Sequence, residues 1–144
     1  MLKKPLFWEM FFLLAIVGVL HYVATANYLY WSTNEFDSLV HFLGGSTLSV
    51  FFLWLYFFSG FFNPQNRNLA RFLIISILGS MFVAVSWEIF ELFLGEAEIN
   101  KVGYPFDTTM DLIMDLLGIL AACLYSFIRE LGIRKKVQTN NEQS

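Results

Sequence analysis

The chain has 144 residues, 57% of them hydrophobic, 19% aromatic and only 15% charged, with a mean hydropathy of +0.58. A charged fraction well below the roughly 25% of soluble domains excludes a water-soluble protein and indicates a single all-α, polytopic membrane domain. The net charge of −3 comes without a basic stripe, so no nucleic-acid partner is expected. The single cysteine, Cys123, rules out an intrachain disulfide and reads as a small packing residue.

Four apolar runs, residues 6–30, 39–62, 69–95 and 108–131, are each long enough to cross ~30 Å of hydrocarbon at ~1.5 Å per residue. The connections between them are short, so consecutive helices are expected to be antiparallel neighbours. This gives a four-transmembrane-helix bundle over residues 1–131 and a polar tail over 132–144, which lacks apolar periodicity and is expected to be disordered. The first run also fits a signal peptide, with Lys3-Lys4, an apolar core and Ala24-Thr25-Ala26. Its length, together with Trp8, Glu9 and His21 within it, favours an uncleaved helix.

Basic residues fix an expected orientation. Lys3 and Lys4 precede the first run, Arg67 and Arg71 lie at the second connection, and Arg129, Arg134, Lys135 and Lys136 end the fourth. The first and third connections hold Glu35, Asp37, Glu96, Glu98 and Asp107 against Lys101. Both termini are therefore expected in the cytoplasm, with the chain in a plasma (bacterial inner) membrane and membrane lipids as its surroundings.

Small residues mark places where helices can approach closely: Gly44, Gly45 and Ser49, then Ser76, Gly79, Ser80 and Ala84, then Gly118 and Ala122. The aromatic clusters around Phe51, Trp54, Phe57, Phe58, Phe61 and Phe62 read as lipid-facing bulk and an interfacial belt.

Ionisable side chains carry the functional signal. Asp107, Asp111 and Asp115 recur every four residues, so on a helix they stack along one face with a drift of only ~40° per step. Asp37 and His41 have the same spacing, and Glu88 and Glu91 are three apart, so each pair shares a helix face. With the expected topology all of these groups, and His21, fall in the outer half of the membrane. Carboxylates at such depth are costly and normally face a protein interior or a cation. Inward-facing Asp, Glu and His on several helices are how bundles build metal sites. His41, Glu88, Glu91, Asp111 and Asp115 are thus the expected metal ligands or acid/base groups, with His21, Asp37 and Asp107 in support. Imidazole mixed with carboxylate suits zinc, manganese or iron as the divalent ion.

Several of these residues also have plainer readings. Asp37 and Asp107 fit helix N-caps better than ligands, His21 fits a hydrogen-bonded core histidine, and Glu9, Arg129 and Glu130 fit solvated interfacial positions. An offset of 70 residues aligns His21 with Glu91, Asp37 with Asp107 and His41 with Asp111, the pattern of two helical hairpins related by an axis along the membrane normal.

The segments Phe36-Asp37-Ser-Leu-Val-His41-Phe-Leu-Gly44-Gly45, Trp87-Glu88-Ile-Phe-Glu91 and Asp107-Thr-Thr-Met-Asp111-Leu-Ile-Met-Asp115-Leu-Leu-Gly118 resemble the YjdF-like inner-membrane proteins and, more loosely, the VanZ-like proteins. The resemblance spans residues 36–120 and implies a small polytopic bacterial membrane protein whose polar residues matter. It implies no activity. There is no phosphate loop, dinucleotide fingerprint, paired-cysteine motif or serine-triad context. The leading expectation is an outward-facing metal centre that acts on or recognises a lipid or cell-envelope substrate. The alternatives are a component of proton- or cation-coupled transport and a structural or accessory subunit. The sequence leaves open whether the chain is an enzyme.

Overall fold

The structure is a computed structural model that describes residues 5–29, 34–62, 64–94 and 104–142. Four helices account for most of it: α1 (Phe7–Ala26), α2 (Asn34–Leu53) continued by a π-helical turn (Trp54–Phe58), α3 (Leu69–Leu94) and α4 (Tyr104–Glu142). Each helix is long and apolar enough to cross a membrane, and no strand occurs among the described residues. Lys3, Lys4, Glu96, Glu98, Lys101 and the side chain of Glu35 lie outside what the structure describes.

The bundle is organised around α2 and α4, which pack more extensively than any other pair. Contacts between them advance in the same direction along both chains: His41 meets Asp115, Ser46 Oγ donates to the Gly118 carbonyl at 3.1 Å, and Ser49 Oγ donates to the Ile119 carbonyl at 3.1 Å. The two helices therefore run parallel. Glycine makes this approach possible, because a Cβ on Gly45 would overlap the Asp115 backbone and one on Gly118 would overlap the Phe42 carbonyl. In lipid, such close backbone packing and interhelical hydroxyl bonds hold helices together where hydrophobic burial does not.

α3 runs antiparallel to both partners. Its Ser76 hydroxyl bonds the Ser49 hydroxyl, Phe72 stacks on Phe57 with centroids 4.3 Å apart, and Phe72 meets Phe127 edge-on. α1 packs on α2 and leaves a face of Trp8, Phe11, Phe12, Leu14, Ile16, Val19 and Tyr22 exposed, as a lipid-facing helix does. Its first turn begins from Leu6, which is buried although its φ of 66° lies in the left-handed region. For a bulky residue that conformation costs on the order of 1–3 kcal/mol and is held by surrounding packing.

Several expectations are corrected by tertiary contacts. Trp54, Phe57 and Phe58 are buried rather than lipid-facing, while Phe51, Phe61 and Phe62 remain exposed. The cause is the π turn, in which Ser59 N donates to the Trp54 carbonyl five residues back at 2.8 Å. The extra residue rotates the aromatic run so that it joins a core with Leu6, Val50, Leu53, Phe72, Ala122 and Cys123. Glu130 is not solvated: it is 4% exposed and is paired with Arg67 at 3.4 Å and with Arg134 at 2.9 Å. Glu9 and Arg129 pair with each other across α1 and α4.

The stretch expected to be disordered after Leu131 instead continues α4 to Glu142. Extending an existing helix needs no new nucleus, and Arg134 pins the extension by donating to the Arg67 carbonyl at 2.7 Å. At 39 residues, α4 is about 58 Å long and outreaches the hydrocarbon core of about 30 Å.

Candidate metal centre

Aromatic and aliphatic packing fills the end of the bundle that carries Arg67, Glu130 and Arg134, and Asp37, Asp111, Asp115 and Glu88 gather at the other end. There the first turns of α2 and α4 lie side by side. Both helices direct their N-terminal, partly positive ends at this region, which favours carboxylates within the first turns.

His41 sits at the middle of the group. Its Nδ1 is 3.2 Å from Asp115 Oδ2, while its Nε2 faces Asp37 Oδ1 at 3.7 Å and Asp111 Oδ1 at 3.9 Å. The first distance suits a hydrogen bond and the other two are too long for one. A bond at Nδ1 fixes the ring and leaves Nε2 directed at the two remaining aspartates. One ligating atom from each of Asp37, His41 and Asp111 lies within 4.8 Å of the other two. A tetrahedral ion with bonds of ~2.0–2.1 Å spaces its ligands ~3.4 Å apart, and the His41 Nε2 distances to Asp37 and Asp111 exceed that spacing by only a few tenths of an ångström.

Asp111 and Asp115 are buried, at 7% and 5% exposure, and Asp37 and His41 are partly buried. Glu88 on α3 is 6% exposed and lies within electrostatic range of His41, Glu91 and Asp115. Thr108 on α4 faces its carboxylate as a hydrogen-bonding neighbour, yet Glu88 Oε1 is buried without a partner among the described residues. Of the residues expected in the site, His41, Asp111 and Asp115 are brought together and Glu88 is adjacent. Glu91 accepts from Trp87 Nε1 at 2.8 Å on its own helix and lies outside the three-residue group. His21 is exposed on α1 and likewise outside it.

The N-cap reading of Asp37 and Asp107 is overturned, because α2 starts at Asn34 and α4 at Tyr104. Asp37 is one turn inside its helix and belongs to the His41 group, whereas Asp107 is exposed in the first turn of α4. The second apolar run conceals this start, because the polar first turn of α2 carries little hydrophobic signal. The four-residue spacing of Asp37 and His41 was the signal that could have placed Asp37 in the group. The offset of 70 residues also has a structural meaning. His41 meets Asp111 and Ser49 meets the Ile119 carbonyl at that offset, so along α2 and α4 the offset follows their parallel seam.

The fold and the site together define a four-helix transmembrane bundle with a buried His/Asp/Glu centre at one end. Residues 4–131 match the family described as "Predicted membrane protein (DUF2238)", and the chain belongs to that family, in agreement with its YjdF-like segments. No curated protein and no solved structure gives a significant match.

Proposed function

We propose that the protein binds a divalent cation through Asp37, His41 and Asp111, and that this centre acts on or recognises a lipid or cell-envelope substrate from the outer side of a bacterial inner membrane. The observation that carries the reading is the convergence of three ligating atoms, from two helices, within 4.8 Å of one another. Asp115 serves as the partner that orients the His41 ring, the arrangement typical of metal-bound imidazole. Charge supports a cation as well. Asp37, Asp111, Asp115 and Glu88 place four carboxylates around a single imidazole, and no Lys or Arg pairs with any of them among the described residues. A divalent ion offsets that excess at low dielectric, and the donor set suits zinc, manganese or iron.

The basic ends of the chain favour cytoplasmic termini, which turns the acidic end outward. A bound cation there would polarise a substrate oxygen or activate a water. A transmembrane proton or cation relay is less well supported, because Leu53, Phe57, Phe72 and Cys123 fill the bundle between the centre and Glu130. The test is metal analysis of detergent-purified protein, wild type against His41→Ala and Asp111→Ala. Stoichiometric metal in the wild type alone is the expected result. Wild-type protein that stays metal-free after supplementation with zinc, manganese and iron overturns the reading.

A further inference from the structure

α3 presents Ser76, Ser80, Ala84 and Glu88 at four-residue intervals, and all four are buried. They form one stripe facing the α2/α4 seam. Two atoms on that stripe, Ser80 Oγ and Glu88 Oε1, are buried without a hydrogen-bonding partner among the described residues. Polar atoms in that condition are normally satisfied by internal water, provided the space and further polar groups are present. Ala84 lies between them and has no side chain beyond Cβ.

Ser80 and Glu88 are two turns apart, about 12 Å between Cα atoms. Thr108, near the start of α4, draws the Glu88 carboxylate away from Ser80, so the two atoms need separate waters. Below Ser80 the Ser49–Ser76 hydroxyl pair and then Leu53, Phe57 and Phe72 close the bundle.

We infer that Glu88 is a proton acceptor rather than a metal ligand, and that its unpartnered Oε1 receives the proton of a water at the Asp37–His41–Asp111 group. This inference rests on the cation centre proposed above and assigns its chemistry to water activation. With a cation held by Asp37, His41 and Asp111, Glu88 Oε1 would take a proton from a water there: one O–H bond breaks, a new O–H bond forms on the carboxylate, and the cation would supply the charge that stabilises the remaining hydroxide. Three protein ligands leave a coordination position open for that water. Thr108, facing the carboxylate, orients it toward the water.

The test uses the full-length protein in detergent with Mn2+ as the probe. Titration calorimetry measures affinity, and pulsed electron–nuclear double resonance counts exchangeable water protons at the ion. Glu88→Gln, close to isosteric, should bind Mn2+ within about threefold of wild type, whereas Asp111→Asn should bind at least about tenfold more weakly. In Glu88→Leu, which removes the acceptor without touching a ligand, the ion should remain bound and the proton signals should diminish. Glu88→Gln losing Mn2+ as severely as Asp111→Asn would make Glu88 a ligand and overturn the inference while leaving the metal centre standing. An unchanged proton signal in Glu88→Leu overturns the proton-acceptor role. Wild-type protein that binds no Mn2+, zinc or iron overturns the metal centre and this inference together.

Discussion

Gly118 on α4 lies so close to the Phe42 carbonyl on α2 that a Cβ at Gly118 would overlap that oxygen. Gly45 meets the Asp115 backbone in the same way from the opposite side. This reciprocal contact sets the spacing of the two helices, and the spacing places His41 among Asp37, Asp111 and Asp115.

Gly118→Ala should therefore destabilise the protein by about 2–3 kcal/mol, since the obstacle is backbone and can yield only by separating the helices. A Cβ at Gly132 would meet nothing within 4 Å, so Gly132→Ala should be neutral or stabilising by up to ~1 kcal/mol. Thermal unfolding in detergent measures both. Equal effects at the two glycines would show that the seam is not set by backbone contact.

Asp115→Asn should leave the Asp37 and Asp111 carboxylates in place but disturb the His41 ring, weakening cation affinity by roughly 10–100-fold. His41→Ala removes a ligand outright and should weaken it further. Calorimetric titration with zinc or manganese ranks the two variants, and the reverse order would make Asp115 a direct ligand.

At the other end, Glu130 is buried between Arg67 and Arg134, so Glu130→Ala leaves two guanidinium groups facing an emptied site. Loss of a buried partner costs about 3–5 kcal/mol, and the partial exposure of both arginines reduces the expectation to about 2–3 kcal/mol. Arg134 is 43% exposed, and Arg134→Ala should cost less, under about 1 kcal/mol. Chemical unfolding distinguishes these values, and a larger loss for Arg134 would shift the main anchor to its bond with the Arg67 carbonyl.

Orientation is testable by single-cysteine labelling in a Cys123→Ser background. Probes at Asn34 and Asn100 should react in intact cells, whereas probes at Asn66 and Gln138 should react only after permeabilisation. Labelling of Gln138 from outside would turn the acidic end toward the cytoplasm. That outcome removes the cell-envelope substrate and leaves the ligand geometry untouched.

The sequence by itself determined the four spans, because a run of apolar residues long enough to cross hydrocarbon is a local property. It also determined that Arg67, Arg71, Arg129 and Arg134 lie at the end of the bundle away from Asp37, Asp111 and Asp115, and that Asp37/His41 and Asp111/Asp115 each share a helix face, because charge placement and helical period follow from position along one chain segment. Only the tertiary structure decided which faces meet. Gly45 and Gly118 gain their role from the backbone opposite, and Asp37 passes from expected cap to member of the His41 group because α4 lies parallel and in register. Glu91 instead bonds Trp87 on its own helix. Trp54, Phe57 and Phe58 turn inward through a π turn that apolar composition does not signal, and Glu130 is buried because Arg67, 63 residues away in sequence, folds back onto it. Apart from the Trp87–Glu91 bond and the π turn, these contacts depend on packing between distant segments, and no window along a single helix contains both partners.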